Sequence, residues 1–197
     1  MTEPTRYELP VPETERGRRT RARLLASAES VFGDLGYERA SITAITQHAG
    51  VAQGTFYKYF PSKLAIFVEL VGEFGNGMRR RLAEATRGLA GRPRAEIERA
   101  GLDAFFDFAL EHPGMYAIVR ESQFVAPETF RAYYEAYVRG YVEHIDLDGV
   151  DAETLAWTVA GIADMLGLRW VVWSRQKPPP EVLDQVARLL DTGFPEP

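Results

Sequence analysis

Apolar residues recur at steps of three and four along nearly the whole chain, and glycine or proline interrupts this pattern at intervals. Such spacing places the apolar side chains on one face of an α-helix, whereas a half-buried β-strand would need strict alternation. Gly36, Gly50, Pro61, Pro113 and Pro127 divide the pattern into segments of ordinary helix length. We therefore predict an all-α fold of about nine helices.

The front of the chain predicts three helices followed by a longer one. The first runs from Thr20 to Leu35, the second is capped by Ser41 and ends at Ala49, and the third covers Gln53 to Phe60. Gly50 permits the tight turn between the second and third, and Ser62 caps the long fourth helix. Two short helices joined by a turn after a longer helix are typical of a helix-turn-helix, whose second member enters the major groove of DNA.

Positive charge is concentrated near the front of an acidic protein. The formal net charge is −5, yet residues 16–63 hold eight basic and three acidic side chains. A stretch of this kind suits binding to a polyanion, although a solvated helix end would have the same composition. Arg16 to Arg23 are candidates for further contacts with phosphates or with the minor groove.

Residues 36–63 closely resemble the N-terminal domain of the TetR family of bacterial transcriptional regulators. The resemblance rests on Gly36-Tyr37, Ile45, Ala49-Gly50-Val51, the run from Gly54 to Phe60, and Ser62-Lys63. The helix-turn-helix domain to which it belongs, residues 16–63, covers about a quarter of the chain. The resemblance implies a regulator that binds a palindromic DNA operator as a homodimer and is released by a small effector. Repression is adopted from the usual mode of the family alone.

The surface of the predicted third helix is the candidate DNA-contact site. Phe56 and Phe60 lie four residues apart and are expected to face the core, which leaves polar and basic side chains on the other surfaces. An ordinary solvated helix surface is the alternative for any one of these residues. The resemblance implies DNA contacts by Thr43, Gln53, Gly54, Thr55, Tyr57, Lys58, Tyr59 and Lys63. Among these, Thr43, Tyr59 and Lys63 would mainly bind phosphates.

One position departs from the family pattern. Ala52 stands where many members have a serine at the cap of the recognition helix. We expect this helix to lack a side-chain cap, at a cost of about 1 kcal/mol.

The resemblance also predicts three regions: a flexible N-terminal segment over residues 1–15, a helix-turn-helix domain over 16–63, and a ligand-binding and dimerisation domain over 64–197. The predicted helix from Ala152 to Trp173 is apolar on more than one side, and a last helix around Val182 to Leu190 follows a run of prolines. In this family the last two helices of each subunit form the dimer interface. The alternative is that these faces only close the core of the monomer.

Aromatic residues crowd the middle of the chain, where they form an apolar effector pocket or plain core. Their composition favours a flat or hydrophobic effector. Asp164 interrupts an apolar helix, so its charge is a candidate pocket group. The candidate pocket residues are Phe105, Phe108, Tyr116, Phe124, Tyr133, Tyr137 and Asp164.

Sequence patterns of enzymes are missing. Cysteine is absent, which excludes disulfides and thiol chemistry. The three histidines, His48, His112 and His144, are scattered, and neither a Glu-x-x-His pair nor a Gly-x-Ser-x-Gly motif occurs. We expect no catalytic residue, metal or cofactor. The alternatives to a DNA-binding regulator are a helical ligand-binding or scaffolding bundle without DNA function and, less favoured, a helical enzyme.

The N-terminus is polar and charged, unlike a signal peptide, and no apolar run is expected to approach the length of a membrane span. These features predict a soluble cytoplasmic protein.

Overall fold

The structure is a computed structural model, and it describes Tyr7, residues 9–142 and residues 149–193. Over this part of the chain the fold is all-α, as predicted, with a π-helical segment, Leu168–Trp173, that continues α8. His144 lies outside the described residues. The helices are α1 Glu15–Arg39, α2 Ile42–Ala49, α3 Gln53–Phe56, α4 Lys63–Thr86, α5 Arg94–Glu111, α6 Pro113–Val125, α7 Pro127–Val142, α8 Ala152–Gly167 and α9 Pro180–Thr192.

Side-chain caps fix where several helices begin. The Thr14 hydroxyl accepts a hydrogen bond from Gly17 N at 3.1 Å, so α1 starts before the predicted Thr20. The hydroxyls of Ser41 and Ser62 cap α2 and α4 in the same way, as predicted. Each cap satisfies an amide that the first turn of a helix leaves without a partner.

The chain forms two compact units. The N-terminal unit comprises the residues up to 74 together with 114–135, and the C-terminal unit comprises 75–113 together with the residues from 136 onward. This division differs from a single boundary after residue 63. The first half of α4, most of α6 and the start of α7 belong to the same unit as α1, α2 and α3.

Aromatic side chains form the core of the N-terminal unit. Phe32, Phe56, Phe60 and Phe67 are fully buried. The rings of Phe32 on α1 and Phe67 on α4 meet edge to face with centroids 5.3 Å apart, and those of Phe56 and Phe60 are 5.7 Å apart. Aromatic pairs at such distances add to the stability that burial provides.

The core of the C-terminal unit joins α5, α8, the π-helical segment and α9. It contains Leu102, Phe106, Ala109, Ala163, Val171 and Leu183. At the surface of this unit, Arg99 on α5 binds Asp184 on α9 at 2.8 Å. The last helix therefore packs on α5 through both apolar and charged contacts.

Residues Ala152–Trp173 form a helical stretch of 22 residues that is long and apolar enough to cross a membrane. The expectation that no apolar run approaches that length is wrong. Part of the stretch is buried within the protein, and core helices of soluble proteins pass the same test, so length and composition alone are weak evidence.

Two glycines allow α1 and α6 to approach closely within the N-terminal unit. A Cβ added at Gly33 would lie 2.8 Å from the Cα of Gly114, and one added at Gly114 would lie 3.1 Å from the backbone oxygen of Glu29. Backbone atoms cannot move aside as a flexible side chain can. Both positions therefore need glycine for packing, and neither has a positive φ.

We predict that Gly33→Ala lowers the free energy of unfolding by about 1–3 kcal/mol, because the added methyl group overpacks the α1–α6 contact. Gly72→Ala is the matched control, since nothing lies within 4 Å of a Cβ there. It should raise stability by about 0.5–1 kcal/mol through helix propensity. Urea denaturation followed by circular dichroism measures both, and equal effects would contradict the close α1–α6 packing.

Candidate nucleic-acid interface

The geometry of a helix-turn-helix is present between residues 42 and 60. Helix α2 ends at Gly50, which adopts the left-handed conformation with φ 63° and ψ 39°. Its amide donates to Gln47 O at 3.1 Å, and Val51 N donates to Thr46 O at 3.0 Å. Gly50 lacks the Cβ that would strain this conformation, so the chain can reverse directly into α3.

The recognition helix is shorter than predicted. Helix α3 covers Gln53–Phe56 and ends in turns, whereas the sequence pattern predicted a helix through Phe60. Ala52 makes no side-chain cap, as expected from its departure from the family pattern. Pro61 disfavours helical geometry at Phe60, and the amides of Tyr59 and Phe60 both donate to Phe56 O.

Burial divides the recognition segment into two faces. Phe56 and Phe60 are fully buried, as their spacing predicts. The solvent-facing side holds Gln53, Gly54 and Lys58. Tyr57 belongs to the same side, since 52% of its surface is exposed. This face offers an amide, a hydroxyl and a cation, which suit base edges and phosphates.

The remaining candidate DNA-contact residues differ in their exposure to solvent. Thr43 is exposed on α2, whereas Thr55 and Tyr59 are half-buried. The Tyr59 hydroxyl lies 3.6 Å from where a Cβ of Gly17 would stand, close to the start of α1. Gly54 is exposed with nothing within 4 Å of an added Cβ, so its backbone is open to the approach of a large partner.

Lys63 contacts the end of α1, and its role as a phosphate contact stays a prediction. Its Nζ donates to Tyr37 O at 2.7 Å and to Ala40 O at 3.0 Å, and it lies 4.2 Å from the Tyr37 ring centroid. Carbonyl groups at the end of a helix lack intrahelical donors and attract a cation. The ammonium group therefore satisfies the end of α1 in this structure.

The break at the end of α1 has a second partner that sequence analysis missed. Gly36 leaves helical geometry with φ 73° and ψ 165°, and both carboxylate oxygens of Glu121 accept from Tyr37 N, at 2.9 and 2.8 Å. Burial raises the pKa of the Tyr37 hydroxyl, and nearby Glu38 and Tyr7 act in the same direction. The separation of Tyr37 and Glu121 in sequence left no local signal for this contact.

The arginines at the start of α1 differ in their contacts. Arg16, Arg18, Arg19 and Arg23 are all exposed, and Arg18 and Arg19 also pair with Glu15. Arg21 points inward, binds Glu73 at 2.7 Å and also pairs with Glu69, and lies over the ring of Phe60. Arg21 thus ties α1 to α4 within the N-terminal unit.

The candidate pocket residues are spread over both units. In the N-terminal unit Tyr116 is buried, Tyr133 stacks on Phe74, and Phe124 is 82% exposed, which is unlike a residue that lines a cavity. The half-buried members in the C-terminal unit are Phe105, Phe108, Tyr137 and Asp164. Among the residues that the structure describes, no cluster of histidine and carboxylate groups could hold a metal ion.

Comparison with known proteins shows what this part of the chain is similar to. A sequence model described as "Bacterial regulatory proteins, tetR family" matches residues 24–70, which span α1 to the start of α4. The transcriptional activator FasR of Mycolicibacterium smegmatis is 34% identical over 120 residues, 58% of this chain and 50% of FasR. The regulator EthR of Mycobacterium tuberculosis is 27% identical over 176 residues, 86% of this chain and 81% of EthR.

Solved structures of other regulators share the fold. FadR from Bacillus subtilis, solved in complex with stearoyl-CoA, superposes with a TM-score of 0.77 at 19% identity, over 88% of this chain and 99% of FadR. The chain spans about half the length of FasR and about a third of YdgC from Bacillus subtilis, which is 40% identical over 65 residues. These relatives are transcriptional regulators rather than enzymes. Residues 24–70 of this chain thus match the TetR family of bacterial regulatory proteins, and the fold of the chain is similar to that of solved regulators.

Proposed function

We propose that the protein is a cytoplasmic transcriptional repressor that binds a palindromic DNA operator through α2 and α3 and leaves it when a small hydrophobic effector binds. One observation carries the DNA-binding part. The polar face of the recognition segment, with Tyr57 and Lys58, is held outward by the fully buried rings of Phe56 and Phe60. Side chains so presented can reach base edges in the major groove.

Each proposed contact has a role that follows from its chemistry. Gln53 and Tyr57 face bases, Lys58 neutralises a phosphate, and exposed Thr43 contacts the backbone. Gly54 lets the chain come close to the DNA. Thr55 and Tyr59 are half-buried and contribute at the edge of the interface. We assign Lys63 an indirect role, because its donors are taken up by the end of α1.

We propose a homodimer that forms through α8, its π-helical continuation and α9. Trp157, Met165 and Trp173 are exposed large apolar residues, and Trp173 is 70% exposed. Trp157 and Met165 are eight residues apart and share a helix face. Exposed apolar surface of this kind marks interfaces, and a two-fold operator requires two reading heads related by the same symmetry.

The effector is proposed to bind in the C-terminal unit, where Phe105, Phe108 and Tyr137 are half-buried. FadR from Bacillus subtilis, which shares the fold, was solved with stearoyl-CoA, and this supports an apolar ligand. Helix α4 contains residues of both units and starts next to the recognition segment. An effector that prefers a different position of α4 weakens DNA binding, and DNA weakens effector binding by the same factor.

Repression is proposed from the usual mode of the family. The relatives include a repressor, KstR of Mycobacterium tuberculosis, and an activator, FasR. A promoter fused to a reporter gene distinguishes the two, because deletion of a repressor raises expression and deletion of an activator lowers it.

We predict that Tyr57→Ala and Lys58→Ala each weaken operator binding by about 1–3 kcal/mol. Lys58→Ala should also reduce the slope of log affinity against log salt by about 0.9, because one phosphate contact is lost. Fluorescence anisotropy with labelled operator at several salt concentrations measures both effects. Arg80→Ala, which removes an exposed cation from the middle of α4, is the control. Unchanged affinity in both test variants would refute the groove-facing assignment.

The variant Lys63→Met should show whether Lys63 stabilises the end of α1 or contacts a phosphate of the DNA. Loss of the ammonium leaves carbonyls at the end of α1 without their donor, so the free energy of unfolding should fall by about 1–3 kcal/mol. The salt slope of operator binding should stay unchanged. A lower slope with unaltered stability would restore Lys63 as a direct phosphate contact.

Met165→Glu should convert the dimer into a monomer, because it places a charge in the proposed interface. Light scattering coupled to size-exclusion chromatography gives the mass. Phe124→Glu replaces an exposed apolar residue outside this interface and serves as the matched control. A dimer in both variants would show that α8 is not the interface.

A further inference from the structure

A polar cluster joins α5 to α7 within the C-terminal unit. Glu98 is 4% exposed, and its Oε1 accepts hydrogen bonds from Arg94 Nη2 and from the Tyr141 hydroxyl. Arg94 Nη2 also lies within hydrogen-bond distance of the Tyr141 oxygen, and its guanidinium carbon is 5.3 Å from the Tyr141 ring centroid. One cation matches one carboxylate, so the buried pair carries no net charge.

One donor of this cluster is left for another molecule, and a second hydroxyl lies one helical turn from the Tyr141 ring. Arg94 Nε is buried and makes no hydrogen bond. Such an orphaned N–H in the interior is costly and calls for a partner. Tyr137 precedes Tyr141 by one helical turn, with ring centroids 6.0 Å apart. Burial raises the pKa of its hydroxyl, and the charge of Glu98 acts in the same direction, so the group remains an O–H donor.

Room for a further group lies beside the cluster on α5, at Gly101. Gly101 lies seven residues after Arg94 and Phe105 eleven, so both share the Arg94 face of the helix. Nothing lies within 4 Å of a Cβ added at half-buried Gly101, whereas one added at Gly77 would meet the Phe108 ring at 2.8 Å. Phe105 is half-buried and packs against the core of the unit. Along this face the polar group of Arg94 is followed by the open position at Gly101 and then by the aromatic ring of Phe105.

We propose that this face binds a molecule with an apolar body and a neutral hydrogen-bond acceptor at one end, such as an ester, amide or ketone carbonyl. The carbonyl oxygen accepts from Arg94 Nε, with the Tyr137 hydroxyl as a second donor, and the body runs past Gly101 toward Phe105. The inference rests on the proposed function, since it names the chemical class of the effector.

The charge balance of the cluster selects a neutral head group. Glu98 already neutralises Arg94, so an entering carboxylate would add an uncompensated negative charge beside a buried one. An ammonium group would meet donors rather than acceptors at Arg94 Nε and Tyr137. A carbonyl oxygen satisfies the orphaned N–H and leaves the buried charge unchanged.

Three probes with the same alkyl chain test the head group. Methyl dodecanoate, dodecanoate and dodecylammonium are titrated by calorimetry, below their solubility limits, into the purified full chain without DNA. We expect the ester to bind at least about tenfold more tightly than either ion. Equal affinities, tighter binding of an ion, or no binding of the ester would overturn the proposal.

Two pairs of variants locate the site. Gly101→Phe fills the open space and should weaken the ester about tenfold or more, whereas Gly101→Ala should change its affinity less than about twofold. Arg94→Lys keeps a cation beside Glu98 but has no Nε–H, so the preference for the ester over dodecanoate should fall. If Arg94 and Glu98 only fasten α5 to α7, Arg94→Lys changes thermal stability and leaves this preference intact, which refutes the proposal.

Failure here is distinct from failure of the proposed function. Binding of the probes is measured without operator, and operator binding is measured without probes. A chain that binds operator but not the ester keeps its proposed regulatory role and loses this effector class. A chain that binds the ester but no DNA keeps the site and loses the regulatory role.

Discussion

The recognition segment depends on the burial of Phe56 and Phe60. A helix of four residues has no stability of its own in water, since the cost of nucleation exceeds what so few hydrogen bonds return. Its side-chain cap is also missing at Ala52. Packing of the two rings into the core of the N-terminal unit therefore holds this short element in place and turns Tyr57 and Lys58 toward solvent.

The end of α1 is held by two side chains of other helices in the N-terminal unit. The chain leaves helical geometry at Gly36, which exposes an amide and several carbonyl groups. The carboxylate of Glu121 on α6 accepts a hydrogen bond from the amide of Tyr37. The ammonium group of Lys63 at the start of α4 donates to the carbonyls. One carboxylate and one ammonium group thus connect the ends of α1, α4 and α6. Of these residues, Lys63 follows the recognition segment directly in sequence.

Local signals in the sequence were sufficient for much of the fold. Helical spacing, the caps at Ser41 and Ser62 and the turn at Gly50 act over a few residues, so they were predictable. The early start of α1 was missed because Thr14 precedes the apolar pattern. The early end of α3 was missed because the Phe56–Phe60 spacing suggests a continuous helix even where turns place both rings inward.

Contacts between distant residues could not be predicted in the same way. Nothing near Lys63 or Glu121 in sequence indicates that each meets the end of α1, and nothing near Arg94 indicates a partner on α7. The helix over residues 152–173 and its apolar character were predicted, but its 22 residues were not compared with the length of a membrane span. These contacts form only when the helices pack together, and helix packing depends on residues throughout the chain.

Selection of bound sites from random double-stranded DNA by the purified chain tests the central claim most directly. Two symmetry-related recognition segments should enrich an inverted repeat whose half-sites lie about one helical turn apart or a multiple of it. Enrichment of no sequence, or of a single half-site without symmetry, would contradict the account.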